Sequence, residues 1–230
     1  MKHSIQFQPA YSLAVIQLDA GECVRAEAGA MVSMSGTIEL EAKFNTGGKG
    51  LMGMLKRTVL GGESLFLSTL SAKAGPGEVT LAPSMPGDIL PLTLAGETLL
   101  TERGAFLAAA DGIEMDAQFA GLRGLMGGEG LSYLRFTGHG LLLLAAFGGI
   151  YARELAPGER YVVDSSHLVA FEERVSYQIR KAATGWISSF TSGEGLVMEF
   201  TGPGRLWLQT RNPRANAEWL SAFLPKPSAE

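Results

Sequence analysis

The chain has 230 residues, of which 46% are apolar and 18% charged, so it is long enough to bury a substantial core. Its 30 glycines show no Gly-X-Y period, which excludes collagen and favours many turns. The formal net charge of −4 argues against a nucleic-acid-binding protein, which needs a basic face to neutralise phosphates.

From the N-terminus, the chain begins with a segment that alternates polar and apolar residues, at Ser4–Pro9, and continues with an apolar segment at Leu13–Leu18. The next segment with strand-like alternation is Thr37–Ala42. Apolar and polar residues that alternate at a period of two are typical of strands with one buried face. We therefore expect the first β unit to span residues 1–78, with an extended apolar loop at 47–62.

The same order of segments then returns twice. The phrase at Gly75–Leu81 recurs at Gly138–Leu144 and Gly202–Leu208, so that Gly77 and Gly140 are 63 residues apart and Gly140 and Gly204 are 64 apart. A fixed step of this size indicates repeated structural units. We predict a second β repeat at 79–140 and a third at 141–204, with turns at the Gly-X-Gly phrases.

After the third repeat, the segment 205–224 is predicted to form a closing strand and a short helix, followed by a disordered tail at 225–230. The closing strand Arg205–Arg211 matches the opening strand of a fourth unit that does not follow, so we expect an edge there that requires a cover. The helix carries an apolar face at Trp219, Leu220, Phe223 and Leu224. The predicted fold class is all-β, with three tandem double-stranded β-helix or barrel-like repeats and a short C-terminal helix.

Each unit also carries an apolar loop between the same two strands, although loops are normally polar. Basic residues adjoin the first loop and suit anionic lipid headgroups. These loops are candidate contacts with a membrane surface or a protein partner, and the alternative is that they cap the core or a subunit interface. The candidate residues are Leu51, Met52, Met54, Leu55, Lys56, Arg57, Leu122, Leu125, Met126, Trp186 and Ile187.

Reactive side chains show no arrangement that indicates a particular chemistry. Asp164-Ser165-Ser166-His167 contains the residue types of a catalytic triad, but four adjacent residues rarely converge as a triad requires, and we predict an ordinary turn that leads to a strand. The carboxylates of Glu39 and Glu41 match Glu114 and Asp116 and share one strand face, which predicts a solvated outer face or, less favoured, a cation or acid–base site. The single cysteine and the three histidines lack metal-ligand spacing, so we expect no cofactor and no metal.

Nucleotide and RNA binding have weaker support. Gly47-Gly-Lys-Gly50 lacks the full phosphate-loop pattern, and no basic position persists in all three units. The chain has no signal-peptide core, and its longest apolar run, Leu141–Phe147, is too short to cross a bilayer. We therefore expect a cytoplasmic protein, with the inner face of the membrane as a peripheral location.

The motifs Ala28–Met31, Gly61–Phe66, Gly75–Gly77 and Gly202–Gly204, in this order, resemble a family of bacterial and archaeal proteins related to the altered-inheritance-of-mitochondria proteins of fungi. The resemblance covers about residues 4–223. It implies a fold similar to that of the tryptophan RNA-binding attenuation protein, a short double-stranded β-helix that assembles into rings, and it implies trimers with nine units around a ring. The fungal relatives are linked to the organisation of the mitochondrial inner membrane, and the resemblance supplies no catalytic residues.

From the residues and the resemblance together, we expect a non-catalytic, ring-forming scaffold or adaptor that assembles as a homotrimer. Its apolar loops would contact a membrane surface or a protein partner. A small-molecule or RNA-binding ring is the alternative. An enzyme is the third and least favoured hypothesis, because the sequence contains no converging nucleophile, base or metal set.

Overall fold

The structure is a computed structural model that describes residues 1–44, 66–119, 132–180 and 197–224. Strands make up most of the described part, which has one short α-helix at its C-terminal end, and this confirms the predicted all-β class. The first strands are β1 (Lys2–Gln6), β2 (Leu13–Leu18), β3 (Cys23–Glu27), β4 (Met31–Met34), β5 (Glu39–Phe44) and β6 (Phe66–Ser71). The next are β7 (Gly77–Leu81), β8 (Ile89–Ala95), β9 (Leu99–Glu102), β10 (Phe106–Ala110), β11 (Ile113–Phe119) and β12 (Ser132–Ala145). The last are β13 (Ile150–Leu155), β14 (Arg160–Asp164), β15 (Leu168–Glu172), β16 (Ser176–Arg180), β17 (Val197–Thr201) and β18 (Gly204–Gln209).

The strands form three sheets. One has the order β1-β2-β7-β4, and another has the order β14-β17-β16. The largest follows the path β13-β18-β15-β9-β12-β10-β3-β6-β5, with β11 and β8 also paired to β12. Every pairing between these named strands is antiparallel, so short connections suffice to join neighbouring strands.

The same pairings recur along the chain in the same order. Strand β7 lies between β2 and β4, the second half of β12 lies between β8 and β10, and β18 lies between β13 and β15. Likewise, β6 lies between β3 and β5, the first half of β12 lies between β9 and β11, and β17 lies between β14 and β16. Strands that hold the same place in this scheme are called counterparts below.

Two predictions about local structure are wrong. Gly138-His-Gly140 was expected to be a turn, but β12 continues through it and changes its partners from β9 and β11 to β8 and β10. Gly138 permits this change, because its φ is +104° and a Cβ there would lie 2.2 Å from the carbonyl oxygen of Gly112. The predicted boundary between residues 140 and 141 thus falls inside one strand, and the domain limits themselves stay a prediction.

The closing strand also differs from its prediction. Arg205–Arg211 was expected to leave an edge that needs a cover from the chain's own beginning or from another subunit, whereas β18 pairs with β13 on one side and with β15 on the other. The reason is that β18 completes the last set of strands, as β7 and β12 complete the earlier ones, and does not begin a fourth.

The buried side chains form three clusters, each with strands of the largest sheet, and the first and third also with strands of the two smaller sheets. The first centres on β2, β3 and β7, the second on β10 and β12, and the third on β14, β15 and β17. Aromatic pairs contribute to the later two: Phe106 and Phe136 are stacked with centroids 5.5 Å apart, and Phe171 and Phe200 meet edge to face with centroids 5.3 Å apart. No residue belongs to more than one cluster, so the core has three separate parts.

The C-terminal helix α1 spans Pro213–Ser221 and begins three residues earlier than the predicted Asn216. Asn212 caps it by accepting a hydrogen bond from the backbone N–H of Ala215 at 3.1 Å, and Pro213 suits the first turn. The predicted apolar side chains at Trp219, Leu220, Phe223 and Leu224 are exposed. Within the described ranges, no helix has the length and apolar character needed to span a membrane.

Candidate functional site: two open strand edges

Within the described residues, two strands lack a neighbour that both of their counterparts have. Strand β10 pairs with β12 and β3, and β15 pairs with β18 and β9, whereas β4 pairs with β7 alone. Strand β3 pairs with β6 and β10, and β9 pairs with β12 and β15, whereas β14 pairs with β17 alone. The free side of β4 and the free side of β14 are called the β4 edge and the β14 edge.

The β4 edge exposes apolar side chains at positions that are buried in its counterparts. A bulge falls at the same place in all three strands, and its extra residue is Val32, Leu107 or Val169. Val32 is 58% exposed, whereas Leu107 and Val169 are fully buried. Two positions further along, Met34 is 39% exposed, whereas Phe171 is fully buried.

The β14 edge shows the same contrast. Glu102 and Asp164 each begin a 3₁₀ turn, at Arg103–Ala105 and Ser165–His167, and each side chain accepts a hydrogen bond from the backbone two residues on. This common cap fixes the correspondence of β9 with β14, in which Leu100 matches Val162. Leu100 is 6% exposed and Val162 is 60% exposed.

Single exposed apolar residues are normal on a protein surface, but a row of them along an unpaired strand is not. Such an edge also presents free backbone N–H and C=O groups, which form a template for pairing with another strand. The two edges therefore combine unpaired backbone groups with exposed apolar side chains, at Val32 and Met34 on β4 and at Val162 on β14.

A cleft lies near the 3₁₀ turns and has a volume of about 430 Å³. Its lining includes the carboxyl groups of Glu27 and Glu102 and the side chains of Ser166 and Asn212. Burial raises the pKa of the Glu27 carboxyl. Burial also raises the pKa of the Glu102 carboxyl, although the backbone N–H groups of Gly104, at 2.7 Å, and Arg103 act in the opposite direction. Arg214 also lines the cleft, so its charged side chains are of both signs.

Asp164, Ser165, Ser166 and His167 form the second of these turns. The Ser166 hydroxyl donates to Asp164 Oδ1 at 2.7 Å and accepts from Asn212 Nδ2 at 2.8 Å. His167 Nδ1 lies 2.8 Å from the carbonyl oxygen of Gln209, so this nitrogen carries the proton and donates it. These contacts join the turn to the end of β18 and to the cap of α1. The segment therefore forms a turn, as predicted.

Glu39 and Glu41 lie on β5, as the alternation predicts, and both contact Lys73. The Nζ atom of Lys73 lies 2.9 Å from Glu39 Oε2 and 2.7 Å from Glu41 Oε1, and these bonds raise the pKa of the lysine. All three side chains are accessible to solvent, so the group resembles a surface ion pair. Among the described residues, no group of three or more His, Cys, Asp or Glu side chains is placed to hold a metal ion.

The predicted apolar loop residues lie outside the described residues. This applies to Leu51, Met52, Met54, Leu55, Lys56 and Arg57 of the first loop, Leu122, Leu125 and Met126 of the second, and Trp186 and Ile187 of the third. The role of these residues stays a prediction. The β4 and β14 edges are not evident from the sequence, because the alternation in these strands is the same whether or not a neighbour is present.

The fold and the two edges define a class of protein: an all-β protein of antiparallel sheets in which the β4 edge and the β14 edge are unpaired in the described chain. Comparison with known proteins gives the family. The model of the family described as "Mitochondrial biogenesis AIM24" matches residues 3–211, and the chain belongs to this family. This confirms the resemblance stated from the motifs.

Two relatives from Streptococcus pyogenes are similar over nearly their whole length. An uncharacterised protein of serotype M6 is 33% identical over 235 residues, which cover 99% of this chain and 93% of the relative. An X-ray crystal structure of a protein from the same species superposes with a TM-score of 0.80 at 29% identity, covering 97% of this chain and 99% of that one. The likeness extends through all three of the predicted repeats.

Proposed function

We propose that this protein is a non-catalytic scaffold whose chains assemble head to tail into a ring, with a homotrimer as the assembled form. The observation that carries the proposal is the pair of open edges, β4 and β14, at places where the counterpart strands are paired. A chain with one unpaired edge of each kind can join a second copy without any other component.

The proposal treats the chain as three tandem double-stranded β-helix units. It is supported by the recurring order of strand pairings, in which β7, β12 and β18 each lie between counterpart neighbours. Adjacent units are joined twice by the same kind of contact, first by β10 with β3 and then by β15 with β9. Three chains of three units would give nine units around the ring.

A scaffold role also agrees with how the reactive side chains are used. Asp164, Ser166 and His167 are engaged in a turn, and Glu39 and Glu41 pair with Lys73 on the surface. None of these groups points to a common reacting atom, as a catalytic site requires. The alternative of an RNA-binding ring needs a basic surface for phosphates, whereas the cleft places Glu27 and Glu102 beside Arg214.

The scaffold would present its partner contacts on one rim. The apolar loops around Leu51, Leu122 and Trp186 are the predicted contacts with a membrane surface or a protein. One such loop binds weakly, whereas several loops on one ring bind together with higher avidity.

Native mass spectrometry of protein purified without detergent or high salt tests the proposal. A trimer is the expected species, and phospholipid-sized adducts on it would support the membrane contact. A monomer at micromolar concentration would overturn the ring. A trimer that carries RNA would replace the scaffold with the binding-ring alternative.

A further inference from the structure

We infer that β4 of one chain pairs antiparallel with β14 of the next chain, in the register Ser33↔Val163, Met34↔Val162 and Ser35↔Tyr161. The inference rests on the proposed ring and specifies the contact that builds it. The partner is thus a second copy of this chain, joined through a strand pairing whose geometry the chain already contains twice.

The two junctions inside the chain supply the register. In each junction three residues of one strand pair antiparallel with three residues of the other. The residue that follows the bulge of β10 or β15 lies opposite the second-last residue of β3 or β9. The pairs of the first junction are Ala108↔Ala26, Ala109↔Arg25 and Ala110↔Val24. The pairs of the second are Ala170↔Thr101, Phe171↔Leu100 and Glu172↔Leu99.

Two independent features transfer this register to the open edges. On β4, the bulge between Met31 and Ser33 makes Ser33 the counterpart of Ala108 and Ala170. On β14, the capping carboxyl of Asp164 corresponds to that of Glu102, so Val163 is the counterpart of Thr101. Placing Ser33 opposite Val163 then fixes the other two pairs.

The exposure of three of these residues agrees with this register. Val163, like its counterpart Thr101, is buried within its own unit. Val162 and Met34, which the register places opposite each other, are exposed, whereas the corresponding pair inside the chain, Phe171 and Leu100, is buried. A register shifted by one residue would turn these side chains to opposite faces of the sheet and leave both in water.

A second copy is the occupant because the two edges complement each other and not themselves. Both internal junctions join a β4-type strand to a β3-type strand, and neither joins two strands of one type. A junction of this kind is heterologous, and it closes into a ring or continues as a filament. Pairing within one chain is a separate outcome, which the experiment below distinguishes.

Disulfide trapping tests the register. In a Cys23→Ser background, which removes the native thiol, one variant carries Met34→Cys and another carries Val162→Cys. Directly opposed residues of antiparallel strands have Cα atoms about 4.5–5.5 Å apart, which suits a disulfide. Mixing the two single variants under mild oxidation is expected to give a covalent dimer that contains one chain of each, and either variant alone is expected to give none.

The matched control is Ser33→Cys mixed with Val162→Cys. Residue 33 is one position away from Met34 along β4, so its side chain points to the other face of the sheet. This pair is expected to cross-link at least tenfold more slowly. A chain that carries both Met34→Cys and Val162→Cys is expected to form disulfides between different chains and so to give covalent oligomers. A disulfide within single chains would overturn the inference in favour of internal closure. Cross-links from Met34→Cys alone would overturn it in favour of a twofold contact.

The outcomes also separate this inference from the ring itself. An oligomer by native mass spectrometry without the Met34–Val162 cross-link would overturn the register and leave the ring in place. A monomer would overturn both. Because Met34 and Val162 are exposed within the chain, the substitutions leave its fold intact, and circular dichroism verifies this.

Discussion

Replacing Val162 with lysine should break the ring and leave the single chain folded. Val162 lies on the β14 edge with 60% of its surface exposed, so the substitution removes little from the fold of the monomer. In the proposed junction the side chain is buried against Met34 of the next chain. Full burial of an aliphatic side chain is worth about 1.5–3 kcal/mol, so the burial still to be gained at Val162 is worth roughly 1–2 kcal/mol.

The effect multiplies because a ring has as many junctions as subunits. One junction weakened by about 1–2 kcal/mol corresponds to a 5- to 30-fold loss in affinity. A trimer loses this amount three times, about 3–6 kcal/mol, so its formation constant should fall by about 10²- to 10⁴-fold. Burial of the lysine charge would increase the loss further.

Sedimentation velocity across a range of protein concentrations measures the shift from oligomer to monomer. Leu220→Lys is the matched control, because Leu220 is 47% exposed on α1 and lies on neither edge. The reasoning is refuted if Val162→Lys and the control assemble equally, or if Val162→Lys lowers the melting temperature of the monomer by as much as a core substitution would.

Three further predictions test other parts of the structure. Gly138→Ala should destabilise the fold by about 1–3 kcal/mol, measured by chemical denaturation, since the residue has a φ of +104° and a Cβ would meet the carbonyl of Gly112; an unchanged midpoint would contradict the glycine's role in β12. Glu102→Gln should raise the melting temperature at pH 7–8 and have no such effect at a pH below the unfolded carboxyl's pKa. The sign follows because burial raises the folded pKa of Glu102, so stability is lost as the pH rises through it. A gain that is the same at all pH values would show that the charge is not the cause. Serine at four loop positions should abolish binding to anionic liposomes without changing the oligomer, and flotation measures this; unchanged binding would contradict the loop contact. The four positions are Leu51, Met52, Met54 and Leu55.

Much of the fold could be predicted from sequence because the period-two alternation is a local property. Strands were predicted at Leu13–Leu18 and near Thr37–Ala42, and the structure places β2 and β5 there. The turn at Gly138–Gly140 was predicted incorrectly because glycines that end a strand and glycines that bend one look alike in sequence. Only the carbonyl of Gly112, brought close by the pairing of β11 with β12, shows which case applies.

The strand edges could not be predicted because pairing is decided by the position of distant strands. Val162 and Leu100 are both aliphatic, and each sits one residue before a buried position, so local sequence does not distinguish the exposed residue from the buried one. One signal was nonetheless present on β4, where Ser33 replaces the alanines at 108 and 170. The Ser33 hydroxyl lies 2.6 Å from Thr80 Oγ1 on the neighbouring strand, which satisfies it without help from water. The hydrogen bond of the Ser33 hydroxyl is thus made within its own chain. A serine of this kind suits the proposed junction for two reasons: it lowers the apolar surface of the free chain, and it leaves no unpaired polar group when the next chain covers the edge.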